Sequence, residues 1–72
     1  MTLEELRTST GKSREDVAAL LGFTYHGIRR IELGGDTPVS TLERYAQALG
    51  VPFTVAHYAY QVSRQAHAKD IN

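Results

Sequence analysis

A chain of 72 residues has room for one domain and one core, since at this length only about 60% of the unfolded surface is buried on folding, which excludes a two-domain enzyme. The apolar share of 42% and the charged share of 22% are those of a folded globular chain, not a disordered one. The lack of cysteine excludes a disulfide scaffold and a cysteine zinc site, and eight basic against eight acidic side chains leave a formal net charge of zero, where nucleic-acid binding usually rests on a basic face.

Thr2 is placed to cap a first helix, with Glu4 and Glu5 in the first turn complementing the helix dipole and Leu3 and Leu6 on one face; it ends near Thr10-Gly11. Ser13, with Glu15 and Asp16 behind it, opens a second helix in which Val17, Leu20 and Leu21 fall at helical spacing, and Gly22 stops it. Thr24 caps a third, carrying Ile28 and Ile31 and running into Leu33-Gly34-Gly35. After the loop Asp36-Thr37-Pro38, an apolar stripe of Val39, Leu42, Tyr45, Ala46 and Leu49 marks a fourth helix ending at Gly50. From Pro52 to Val62 two readings stand: Phe53, Val55, Tyr58, Tyr60 and Val62 favour a strand, whereas Val55, Ala59, Val62 and Ala66 fit a helical face, and strand propensity gives the strand a slight advantage. The small and polar tail is expected to fray. The resulting organisation is a domain over 1–51, a strand or helix over 52–65 and a frayed tail over 66–72.

The connection Leu21-Gly22-Phe23-Thr24 is tight, with Gly22 as its left-handed corner. Two short helices cross closely there only if the residue facing the second is small and its surroundings apolar. Ala18 is small, and Val17, Leu21, Phe23, Ile28 and Ile31 are apolar, which leaves Arg14, Tyr25, His26, Arg29 and Arg30 outside. With Leu-Glu-Glu-Leu-Arg at the start, Ser-Arg-Glu-Asp-Val-Ala-Ala-Leu-Leu-Gly from Ser13, Ile-Arg-Arg-Ile-Glu from Ile28 and Tyr-Ala-Gln-Ala-Leu-Gly from Tyr45, the chain resembles the lambda-repressor-like (Cro-type, xenobiotic-response-element) helix-turn-helix regulators from about Leu3 to Val51.

The resemblance implies an all-α bundle of four to five short helices, with the helix after Thr24 in the major groove of double-stranded DNA and the helix before it crossing the backbone. It places Tyr25, His26 and Arg30 at base-reading positions, Arg30 as a bidentate partner for guanine worth about 1–3 kcal/mol of discrimination. Arg14, Thr24 and Arg29 fall nearer phosphate, and Arg7 and Glu32 form a structural ion pair between the first and third helices. The chain departs from the pattern in its loop, where Gly34-Gly35-Asp36-Thr37 holds an acid and no base and is about a residue short. Gly27 lies inside the third helix, where glycine costs about 1 kcal/mol relative to alanine, and is explained either by close backbone approach to DNA or by tolerance near the helix start, tolerance being favoured.

Taken singly, Tyr25 and His26 are ordinary first-turn residues and the adjacent arginines an ordinary solvated face; the surrounding pattern turns them toward DNA. Tyr45 falls in the apolar stripe and is assigned to the core. His26, His57 and His67 share no three- or four-residue spacing, so no metal site or other cofactor is expected. No paired acid and base, nucleophile motif or phosphate-binding glycine loop supports catalysis. No apolar stretch approaches the ~20 residues of a membrane span, and Met1-Thr2-Leu3-Glu4-Glu5 lacks the regions of a signal peptide, so a cytoplasmic location is expected.

An aromatic strand edge invites pairing, so Phe53, Val55, Tyr58 and Tyr60 are the expected homodimer interface. A two-fold dimer sets its recognition helices about 34 Å apart and matches a palindromic operator. The simplest regulator of this size is a repressor. The neutral charge, the loop acid and the aromatic run also fit a second function, an antitoxin-like module acting through a protein partner.

Overall fold

The computed structural model describes residues 1–68, folded as five helices: α1 (Leu3–Ser9), α2 (Arg14–Leu21), α3 (Tyr25–Glu32), α4 (Val39–Leu49) and α5 (Phe53–Ala68). No strand occurs among the described residues. The first three helices start at side-chain caps. Thr2 and Ser13 each head a capping box, closed by Glu5 and Asp16, and Thr24 Oγ1 accepts from the Gly27 amide at 3.0 Å. Pro38, with no side-chain cap bond, precedes α4.

Helices α2 and α3 meet across the corner at Gly22, which adopts φ 70°, and the Phe23 amide donates to the Ala18 carbonyl at 2.9 Å. Ala18 is buried beneath this crossing, and Val17, Leu21, Ile28 and Ile31 surround it in the core with Leu3, Leu42, Tyr45 and Leu49. Burial of an aliphatic side chain such as Ile28 contributes about 1.5–3 kcal/mol. The apolar stripes read from spacing are too wide by a residue each: Leu20 and Val39 are both 61% exposed.

The segment from Phe53 is a helix, not the favoured strand, and it continues through Ala66 to Ala68, beyond the point where fraying was expected. Residues 69–72 of the expected frayed tail lie outside the described residues. The buried face of α5 is Ala56, Ala59, Tyr60 and Ser63, a helical repeat of mostly small residues that lets the helix lie against α1 and α4. Ser63 Oγ accepts from the Leu3 amide at 2.9 Å and donates to the Ala59 carbonyl at 2.9 Å, so it satisfies one of the unpaired amides at the start of α1. Propensity here yields to tertiary packing. No described helix is long and apolar enough to cross a membrane.

Candidate nucleic-acid interface

The eight residues of α3 divide cleanly into two faces. Ile28, Ile31 and Glu32 are buried, whereas Tyr25, His26, Arg29 and Arg30 are exposed. Gly27 has a reason beyond tolerance: a Cβ there would stand 3.3 Å from Thr24 Oγ1 and 3.8 Å from Phe23 Cβ, crowding the oxygen that caps the helix. A groove of about 440 Å³ borders the outward face, lined by His26, Arg29, Arg30, Leu33, Gly34, Gly35 and His67.

The inward face is fixed by a polar cluster around Glu32, which is 2% exposed. Arg7 Nε donates to Glu32 Oε2 at 2.7 Å, Tyr45 Oη donates to the same oxygen at 2.6 Å, and Arg14 Nε donates to Oε1 at 2.8 Å. Burial pushes the Glu32 carboxyl up, but the bonds from Arg7, Tyr45 and Arg14 outweigh it and hold the group below the usual carboxylate range. The Tyr45 phenol is pushed up by its burial and then by its bond to Glu32. Arg7 also reaches the Lys12 carbonyl at 2.8 Å, tying the α1–α2 loop into the cluster.

The Arg7–Glu32 pair drawn from the resemblance is therefore present, but Arg14 is not a free cation at the start of α2. Its Nη2 donates to Glu4 Oε1 at 2.9 Å and its Nη1 to Tyr25 Oη at 3.1 Å, and the side chain is 19% exposed. Its charge is held by the bonds to Glu32 first and Tyr25 second, which raise its pKa. Arg29 and Arg30, by contrast, form no ion pair among the described residues. Among the described residues charge is thus unevenly spread: acids pair with Arg7 and Arg14 beneath α3, and none pairs with Arg29 or Arg30.

Of the expected interface in the C-terminal segment, Val55 and Tyr58 are exposed, at 43% and 65%. Phe53 packs partly against the core and stacks on His57 at 5.5 Å. Tyr60 is turned inward, donating to the Gly35 carbonyl at 2.7 Å. Since the segment is helical, it presents a side-chain face and not a strand edge.

Two contributors, Arg44 and Arg64, were not singled out from sequence, and a third, Tyr60, was assigned a different role. Arg44 on α4 donates to the Leu21 carbonyl at 2.8 Å and lies 5.5 Å from the Phe23 ring centroid, so it braces the turn between α2 and α3. Tyr60 and Arg64 grip the glycine turn that follows α3, and Arg64 Nη1 reaches Asp36 at 3.4 Å, supplying from α5 the base that the loop itself lacks. The close approach explains Gly34, at φ +85°, where a Cβ would stand 2.8 Å from Arg64 Cα. Only the run Gly34-Gly35 hinted at it.

Two short helices crossing at a left-handed corner, the second with a buried inner face and a cationic outer face, define a helix-turn-helix of the DNA-binding type. Residues 1–57 match the family model described as helix-turn-helix domain, and the chain belongs to that family. Comparisons with curated proteins and with solved structures give no match.

Proposed function

We propose that the chain is a sequence-specific transcriptional regulator of the lambda-repressor-like type, a cytoplasmic repressor that occupies a palindromic operator as a homodimer. The observation that carries this reading is the outward face of α3, where Arg29 and Arg30 pair with no acid among the described residues and stand beside His26, while the opposite face is locked to Glu32. In this reading His26 and Arg30 meet base edges, and Arg29 and the hydroxyl of Thr24 meet phosphate. Dimerisation uses the face of α5 that carries Val55, Tyr58 and the partly buried Val62, spaced as neighbours on one side of a helix. The work of the molecule is binding, not catalysis.

Selection of bound duplexes from a random library tests this directly. The expected product is a palindrome, and Arg30→Ala is expected to relax the preference at one position in each half-site, by about 1–3 kcal/mol. Uniform weakening across all sequences would assign Arg30 to phosphate instead.

The exposed Tyr58 and Val55, on a chain without net charge, also support a second reading in which α5 covers a protein partner in the manner of an antitoxin. Purification from the native host separates the two readings: a clean homodimer favours the repressor, and a stoichiometric second protein favours the antitoxin-like module.

A further inference from the structure

The side chains at the start of α2 and α3 form an unfinished version of an arrangement that the molecule completes elsewhere. At the far end of α3, Arg64 Nη1 donates to Tyr60 Oη at 3.2 Å, and Tyr60 passes its own proton on to the Gly35 carbonyl at 2.7 Å. At the near end, Arg14 Nη1 donates to Tyr25 Oη at 3.1 Å. A guanidinium has donors only, so the Tyr25 oxygen is the acceptor and its proton remains to be given. No described residue accepts it, and Tyr25 is 37% exposed. A hydroxyl that accepts from a cation is polarised into a better donor.

We propose that Tyr25 donates its phenolic proton to a phosphate oxygen of DNA, and that Arg14 is a positioning residue that acts on DNA through Tyr25 without touching it. The inference rests on the reading of α3 as the helix that faces the duplex. Phosphate is favoured over a base edge by where the hydroxyl lies. Arg14 is the first residue of α2, the helix that crosses the backbone in this motif, and its bond ties the Tyr25 hydroxyl to the start of α2, while the Tyr25 ring stands edge-on to His26 with centroids 5.8 Å apart. Arg14 itself is already committed: each of its three nitrogens donates once, to Glu32, Tyr25 and Glu4, and its charge is offset by Glu4 and by the Glu32 it shares with Arg7. The roles drawn from the resemblance, Tyr25 on bases and Arg14 on phosphate, are exchanged.

The test compares wild type, Tyr25→Phe, Arg14→Gln and the double variant, against a duplex enriched by selection and an unrelated duplex, over a range of salt concentrations. Tyr25→Phe removes the hydroxyl, and with it both the proton donor and the exposed acceptor of the Arg14 bond. It is expected to weaken binding to both duplexes by the same factor, about tenfold, with the thermal midpoint unchanged. Arg14→Gln is expected to leave the slope of log affinity against log salt unaltered, and to cost no further affinity once Tyr25 is Phe. A slope reduced by about 0.9 in Arg14→Gln would mean that Arg14 neutralises a phosphate itself, and overturns the proposal. No loss in Tyr25→Phe overturns it too, as does a loss confined to one base position. Should Arg14→Gln not fold, the Tyr25→Phe comparison alone decides. Failure of the wild type to bind any duplex sinks the reading of α3 as well, whereas duplex binding indifferent to Tyr25→Phe removes only this proposal.

Discussion

The two ends of α3 each hold an arginine–tyrosine pair, and the pairs differ in what lies beyond the phenol. At the C-terminal end the chain of donors closes on the protein's own backbone, from Arg64 through Tyr60 to the Gly35 carbonyl, and Tyr60 is buried. At the N-terminal end Arg14, anchored by its bond to buried Glu32, donates to Tyr25, and the chain of donors stops there at the surface. One chemical device thus serves two purposes. Where the hydroxyl finds an internal acceptor it fastens α5 to the turn; where it does not, it is held ready for something outside. The difference teaches that side-chain type alone does not separate structural from binding residues, whereas following each donor to its acceptor does.

The heaviest blow to this comparison falls on its buried root. Glu32→Ala leaves Arg7 and Arg14 without their shared acceptor and is expected to cost about 3–5 kcal/mol, read as a fall in the urea midpoint. The same carboxylate sets the acid limb. Its folded pKa lies below the unfolded value of 4.5, so its contribution is complete above that value and is lost as pH falls through the folded one. Glu32→Gln should therefore flatten the decline of stability in acid; an unchanged acid limb would show that other carboxylates govern it.

A smaller effect is expected at the closed end. Gly34→Ala forces a Cβ at positive φ to within 2.8 Å of Arg64 Cα, and a loss of at least about 1–3 kcal/mol is expected in thermal unfolding. A neutral Gly34→Ala would mean that α5 yields easily and does not clamp the turn.

The smallest effect sharpens the contrast most. Tyr60→Phe removes two bonds made inside the protein, to the Gly35 carbonyl and from Arg64, and should lower stability by about 1 kcal/mol with little change in duplex affinity. Tyr25→Phe should do the reverse. Parallel melting and binding curves check both, and equal behaviour of the two variants would erase the distinction.

Helices α1 to α4 were legible because their ends are marked by chemistry that acts locally: Thr2, Ser13 and Thr24 as caps, Gly22 and Gly50 as stops. The division of α3 into faces was legible for the same reason, since Ile28 and Ile31 fix which side is buried. The fifth helix was not, because Val55, Tyr58 and Tyr60 pull toward a strand, while what decides the matter is the run of small residues, Ala56, Ala59 and Ser63, fitting against α1 and α4. Small residues carry little signal until their partners are known. The same holds for Arg44 and Arg64, whose acceptors lie at distant points of the chain, and for Arg14, whose position suggested a phosphate contact until two carboxylates appeared beside it.

The claim on which the rest depends is that the outward face of α3 meets DNA although the chain carries no net charge. Amide chemical shifts followed by NMR during titration with a duplex enriched by selection test it residue by residue. The largest changes are expected from Thr24 to Arg30, with α4 unmoved; changes confined to the Val55 and Tyr58 face of α5, or none at saturating duplex, would contradict it.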